Sequence, residues 1–388
     1  MKNTIAKKVQ DMRPSGIRAF FDLVLGMKDV ISLGVGEPDF ATPWSIREAA
    51  IFSLEQGWTS YTSNKGMMKL RMSIARFLKN HHGLAYNPDD EILVTVGVSE
   101  ALDLAARSIL NPGDKVLIPE PCYVSYGPVS ALAGGEPVYI STAKSDFKLR
   151  PADIEKNCDS KTKAIIFNYP ANPTGVSYTK KELEEIKKVI LKHKLIMISD
   201  EVYDELTYDF KHTPFASLSG AKNNTLYLNG FSKSYAMTGW RVGYACGPKE
   251  IIAAMTKIHQ YTIMCVSITA QMAACEALQS GRKAVEEMKR EYQRRREFVV
   301  DGLNRLGLKC LKPQGAFYAF ASIESTGLSA MDFCSGLLKE QRVAVVPGNA
   351  FGSSGEGYIR ISYASSLDNL REALNRIAAF LKKLEVGS

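Results

Sequence analysis

The chain has 388 residues; 49 are basic and 41 acidic, for a formal charge of +8, and 45% are hydrophobic against 23% charged. These are ordinary proportions for globular domains, two or three of them at ~150 residues each, and they exclude collagen, coiled-coil rods and wholesale disorder. No stretch approaches the ~18 consecutive apolar residues that a bilayer span needs.

In chain order, the N-terminal MKNTIAKKVQDMRPSG is basic but no apolar h-region follows it, so no signal peptide is expected. A helix-like segment around Ile17 to Leu25 leads into a loop rich in Gly and Pro. These first 45 residues are too few for a domain and are expected to pack on another one. From about Glu91 to Gly243 short apolar runs alternate with amphipathic stretches: EILVTV, KVLIPEP, KAIIFNYP, LIMISDE and TLYLNG have strand length and strand composition. Between two of them, TKKELEEIKKVILKHK places Leu183, Ile186, Val189 and Ile190 on one helical face. Strand–helix–strand repetition with near-continuous apolar strands predicts an α/β domain around a mostly parallel, doubly covered sheet. After about Ile251 a long helical stretch runs to Leu306 with a break at Gly281. GAFYAFASI, RVAVVPG and GYIRISYA then read as strands, with helices from Ser329 and Ser366, which suggests a smaller α+β domain.

Seven scattered cysteines without a C-x-x-C pair read as free thiols in a reducing cytoplasm. The adjacent His81 and His82 do not share a helix face, so no structural zinc site is expected. The densest basic cluster is KREYQRRR (289–296); Val285, Met288, Tyr292 and Val299 recur in and around it at helical spacing, which assigns its charges largely to a solvated face rather than to nucleic acid.

Ligands of open α/β sheets bind beyond the carboxyl ends of the strands, and chemistry-bearing residues fall there. Gly97-Val98-Ser99 lies between a strand and a helix beginning near Glu100, where exposed N–H groups suit a phosphate, although helix caps look alike. Asp200 ends LIMIS, a costly place for a carboxylate unless it meets donors or a cation. Asn168 ends another strand and Asn172 follows in a turn shaped by Pro173 and Gly175. Ser232 and Lys233 follow TLYLNG, with Arg241 eight residues on. A lysine in an apolar setting has its pKa lowered and becomes a nucleophilic amine. Together, a phosphate cradle, a carboxylate, an amide, a lysine and an arginine suit a phosphorylated carbonyl cofactor.

With NPTG, SDEVY and SKxxxMTGWRxGY in this order, the chain resembles the class I family of fold-type I, pyridoxal-phosphate-dependent aminotransferases, from SLGVGEPDF to GYIRISYA. The resemblance implies a large domain (46–285) with a mostly parallel seven-stranded sheet, a small discontinuous α+β domain (1–45 and 286–388), and a homodimer. It implies pyridoxal 5'-phosphate as cofactor, with Lys233 as the lysine that forms an imine with it and shuttles a proton. Asp200 matches the partner of the pyridinium nitrogen, Tyr203 and Asn172 the donors to the phenolic oxygen, and Tyr123 the aromatic stacked on the ring. Val98, Ser99, Ser232 and Arg241 match the phosphate site, and Tyr61 the tyrosine that reaches it from the partner subunit. Arg360, Gly36 and also Asn172 match the contacts to the substrate, Arg360 at its α-carboxylate. One departure is Gly230, where some branches place a serine on the phosphate.

The activity implied is transfer of an amino group from an L-amino acid to a 2-oxo acid by a ping-pong cycle, on aspartate, aromatic amino acids or N-acetyl-diaminopimelate. The segment around Ile17 and Phe20 is a candidate cover for the side-chain pocket. A carbon–sulfur β-lyase shares most of these motifs. A non-catalytic cofactor-binding regulator would need a DNA-binding module, for which the N-terminus has no room.

Overall fold

The computed structural model of the chain describes residues 4–12 and 27–387, so the helix expected around Ile17 to Leu25 lies outside the described residues. The strands are β1 Ile31–Ser32, β2 Ile92–Thr95, β3 Lys115–Glu120, β4 Glu136–Ser141, β5 Thr162–Asn168, β6 Ile196–Asp200, β7 Thr225–Gly230, β8 Gly243–Cys246, β9 Tyr318–Ser322, β10 Val343–Ala344, β11 Val346–Pro347 and β12 Tyr358–Ser362. Seven of them form one sheet in the order β2-β8-β7-β6-β5-β3-β4. β3 to β7 pair in parallel, and β8 runs antiparallel to both of its neighbours.

All five apolar runs read from the sequence become strands of this sheet, and two further strands join them. β4 is an edge strand in which Ile140 alone is buried, so it lacks a continuous apolar run. β8 is only four residues long and sits in a glycine-rich segment, yet all four are buried. Every residue of β7 and β8 is buried, as a sheet covered on both faces requires. The helix Lys180–Lys192 starts in a capping box of Thr179 and Glu182 and buries Leu183, Ile186, Val189 and Ile190. Each such side chain contributes ~1.5–3 kcal/mol of burial.

The stretch after Ile251 is three helices, Lys249–Thr262, Ile268–Ser280 and Arg282–Arg305. The break at Gly281 is where the sequence placed it. A second break follows Thr262, where the His259 carbonyl accepts from both Ile263 and Met264 N–H groups and Met264 takes φ +71°. The basic cluster departs from its expected solvated face at two residues. Arg295 and Arg296 are buried, the former on Asp39 at 2.8 Å and the latter between Asp209 at 2.7 Å and the Pro313 carbonyl at 2.7 Å. Acceptors from distant segments draw these two inward, which helical periodicity alone does not reveal.

The remaining strands form an antiparallel sheet β11-β12-β9 and a parallel pair β1-β10, flanked by helices Ala330–Gln341 and Leu367–Gly387. Pairing of Ile31 with Val343 holds the early chain against the C-terminal third, and Leu33 joins the same core as Phe333, Ile361 and Tyr363. The boundary drawn at 285/286 falls inside the helix Arg282–Arg305. Among the described residues no helix is long and apolar enough to cross a membrane.

Candidate active site

The carboxyl ends of β5, β6 and β7 open on a cavity of about 480 Å³, closed from the other side by the 34–36 loop and by Tyr318 and Arg360 of β9 and β12. Gly36, Val98, Ser99, Tyr123, Asn172, Asp200, Tyr203, Ser232, Lys233, Arg241 and Arg360 all line it. Of the residues matched to cofactor and substrate contacts by the resemblance, Tyr61 does not line it and is 82% exposed on the surface, while Ile17 and Phe20, the candidate pocket cover, lie outside the described residues.

Lys233 follows the end of β7, and its Nζ donates to the Gly36 carbonyl at 2.6 Å. Burial pushes its pKa down to about 8; Glu37 opposes this, and the charges of Arg360 and Arg241 reinforce it. Asp200 ends β6, accepting from the Tyr126 hydroxyl at 2.8 Å and the Val202 N–H at 3.3 Å. Burial raises its pKa to about 6 against the pull of the Tyr126 hydrogen bond. The adjacent Glu201 points to the opposite face of the strand, into a closed set of Ser199, Tyr169, His212 and the Phe215 N–H. Of these two neighbouring carboxylates, Asp200 therefore faces the cavity.

At one end of the cavity the helix Gly97–Ile109 begins three residues earlier than the sequence suggested, and its positive N-terminal end meets Arg241. Gly97 has φ +70°, and a Cβ there would lie 2.7 Å from the Arg241 guanidinium. The missing serine at Gly230 has a steric cause, since a Cβ would stand 3.0 Å from the Gly243 Cα and 3.1 Å from Val98. Arg241 donates to the Thr238 carbonyl at 3.0 Å and meets no carboxylate among the described residues.

At the opposite end Arg360 is 2% exposed. Its guanidinium donates to Asn172 Oδ1 at 2.8 Å and to the Gly34 carbonyl at 2.5 Å, and stands 4.5 Å over the Tyr318 ring and 4.7 Å over the Phe351 ring. Its Nε is buried without a partner, and no carboxylate reaches it among the described residues. Asn172 is held by its own N–H on Asn168 Oδ1 at 2.9 Å, and Asn168 Nδ2 in turn donates to the Asp200 carbonyl at 2.8 Å. Since Asn172 Oδ1 is taken by Arg360, its amide NH₂ is left for the cavity.

Three side chains that hold this arrangement were not given roles from the sequence: Asn168, Tyr126 and Tyr318. Tyr126 follows Tyr123 by three residues, a spacing that was available as a signal. Tyr318 sits in GAFYAF, where an aromatic in an apolar strand looks like core.

Two arginines without a carboxylate partner among the described residues, a helix N-terminus, a lysine of lowered pKa and a buried carboxylate of raised pKa line this one cavity. These residues fit pyridoxal 5'-phosphate, and the fold and cavity define an enzyme of the class that uses it. The sequence model of the family "Aminotransferase class I and II" matches residues 28–377. The chain is 53% identical to YugH of Bacillus subtilis, over 99% of this chain and 100% of that one, a protein whose name contains the word aminotransferase and no substrate. It is 47% identical to an aspartate aminotransferase of Pyrococcus abyssi, covering 96% of this chain and 97% of the relative. The solved aromatic aminotransferase of Pyrococcus horikoshii superposes with a TM-score of 0.91 at 46% identity, covering 95% and 100% of the two chains. The chain belongs to the class I and II aminotransferases. It is a pyridoxal-phosphate-dependent enzyme that moves an amino group from an amino acid to a 2-oxo acid.

Proposed function

We propose that Lys233 is the amine that anchors the cofactor and moves the proton during this transfer. The observation that carries the reading is a lysine of lowered pKa in one cavity with a buried carboxylate and two arginines that meet no carboxylate among the described residues. When bound, the cofactor supplies an aldehyde that accepts the amino group and a ring that draws electrons from the substrate's Cα. Lys233, as a neutral amine, takes the proton from Cα and returns it on the far side of the transfer. Asp200, ionised above about pH 6, holds a proton on the ring nitrogen. Tyr203 and the Asn172 amide donate to the phenolic oxygen, and Tyr123 packs on the ring. Arg241, Ser232 and the Val98 and Ser99 end of the helix Gly97–Ile109 bind the phosphate. Arg360 binds the α-carboxylate, for which its partnerless Nε is the remaining donor, and Gly36 meets the same end of the substrate.

The finer reading concerns the donor's side chain. Lys233, Arg241 and Arg360 are the cations that line the cavity among the described residues, and each has a task above. This favours an aromatic or other uncharged side chain over a second carboxylate, as on aspartate. A single-turnover screen of amino acids against the cofactor-loaded protein tests it: faster conversion with phenylalanine or tyrosine supports the reading, and faster conversion with aspartate overturns it. Turnover that depends on a 2-oxo acid separates transamination from a carbon–sulfur β-lyase, which would release ammonia and pyruvate from cystathionine without one.

The assembly is proposed as a homodimer. Trp44, Leu54, Trp58, Tyr61, Tyr261 and Met264 are large apolar residues left exposed. The Asn64 amide, donating to the Met264 carbonyl at 2.8 Å, ties the Tyr61 loop to the turn after the helix Lys249–Thr262. Covering this face with a second copy would bring Tyr61 to the other copy's phosphate end. In the same reading residues 46–285 form the cofactor domain, and 1–45 with 286–388 the smaller one.

A further inference from the structure

Tyr318 touches three parts of the site at once. Its hydroxyl lies 2.9 Å from the Tyr203 hydroxyl. Its ring underlies the Arg360 guanidinium at 4.5 Å. Gly36 leaves just enough room for it, since a Cβ there would stand 2.6 Å from the Tyr318 oxygen. Tyr318 is fully buried, so a hydroxyl left without a partner would cost ~1–3 kcal/mol.

Each phenol has a single proton, so one of the two donates in this bond and the other accepts. The Tyr203 oxygen is the one hydrogen-bond partner that the Tyr318 hydroxyl has among the described residues. If Tyr318 donates, Tyr203 accepts, and the proton of Tyr203 is left for the cavity. If the bond ran the other way, the Tyr318 proton would have no acceptor among the described residues and Tyr203 could not donate to a ligand. Tyr318 is 0% exposed and Tyr203 3%, so the first arrangement leaves the free proton on the more exposed of the two residues.

We propose that Tyr318 is a positioning residue that donates to Tyr203, so aiming the Tyr203 proton at the cofactor's phenolic oxygen, while its ring supports the plane of Arg360. This rests on the role given to Tyr203 above. Through the two contacts Tyr318 links the carboxylate-binding end of the site to the cofactor's electronics. Among the described residues, Tyr318, Arg360 and Asp200 are the charged or titratable groups that act most strongly on Tyr203, and Lys233 and Arg241 line the same cavity.

The test uses full-length protein loaded with pyridoxal phosphate and follows the pH titration of the visible band of the lysine-bound cofactor, together with kcat and KM. Tyr318→Phe keeps the ring and removes the donor. It is expected to raise the titration midpoint by ~0.5–1 pH unit, the scale of one hydrogen bond, with KM for the amino acid within about twofold of the parent. Tyr318→Leu is expected to raise the midpoint equally and KM by ~3–30-fold, because the guanidinium also loses its aromatic face. Tyr203→Phe should shift the midpoint at least as far as Tyr318→Phe, and the double variant no further than Tyr203→Phe alone. A parental midpoint in Tyr318→Phe, with a shifted one in Tyr203→Phe, overturns the donor role while leaving the assignment of Tyr203 standing. An unshifted Tyr203→Phe overturns both. A parental KM in Tyr318→Leu overturns the support of Arg360.

Discussion

Lys233 and Asp200 depart from their ordinary pKa values for the same physical reason, burial that disfavours charge. A lysine near 8 gives a useful fraction of neutral amine at neutral pH. Replacing it with alanine is expected to lower turnover by at least ~10²–10⁴-fold, measured as amino-acid-dependent product formation at saturating cofactor. Asp200 carries a stability cost. Its folded pKa, about 6, lies above the ordinary carboxylate value of 3.8, so the cost is fully present above pH 6 and fades as pH falls toward 3.8. Asp200→Asn is therefore expected to stabilise the cofactor-free chain at pH 8 by ~1–3 kcal/mol and to weaken turnover sharply. Thermal melts of both proteins between pH 4 and 8 check this; parallel melting curves across that range would contradict it. Both residues were legible in the sequence because they interrupt apolar runs at strand ends. Tyr318 was not, since a tyrosine inside an apolar run carries no mark of where its hydroxyl goes until the chain is folded, and Tyr126 was marked only by its three-residue spacing from Tyr123.

At the scale of elements, the site depends on how closely β7 and β8 approach the start of the helix Gly97–Ile109. A Cβ on Gly243 would lie 2.8 Å from both the Gly97 carbonyl carbon and the Val98 nitrogen, all of them backbone or near it. Gly243→Ala is expected to destabilise the protein by ~1–3 kcal/mol and to weaken cofactor binding by shifting the helix end that faces the phosphate. Gly239→Ala, where nothing stands within 4 Å, is the control. Denaturation midpoints and cofactor dissociation constants measure both effects, and equal behaviour of the two variants would contradict the packing argument. Strand composition revealed the central strands of the sheet, whose burial on both faces leaves continuous apolar runs. It did not reveal β4, whose outer face is open, or β8, whose four residues are too few to form a pattern. The break after Thr262 escaped as well, because neither glycine nor proline marks it.

At the scale of the molecule, the resemblance pointed to the seven-stranded sheet and the family, while composition alone gave only a count of domains. The +8 charge proved a poor guide to partners. Arg295 and Arg296 are buried as clamps on Asp39 and Asp209, and Lys233, Arg241 and Arg360, to which functional roles are proposed, line one cavity. The proposed dimer makes a sharp prediction, because each site would take Lys233 from one copy and Tyr61 from the other. Mixing Lys233→Ala with Tyr61→Ala protein under exchange conditions should restore activity that neither has alone, through hybrids in which one site is intact. No restoration would contradict the shared site.

The central claim is that Lys233 is the group on which the cofactor chemistry turns. Borohydride reduction of the protein loaded with pyridoxal phosphate, followed by peptide mass mapping, tests it most directly. A pyridoxyl group is expected on the peptide containing Lys233, and none after prior exposure to an amino donor. Labelling of a different lysine, or undiminished specific labelling of the Lys233→Ala variant, would contradict it.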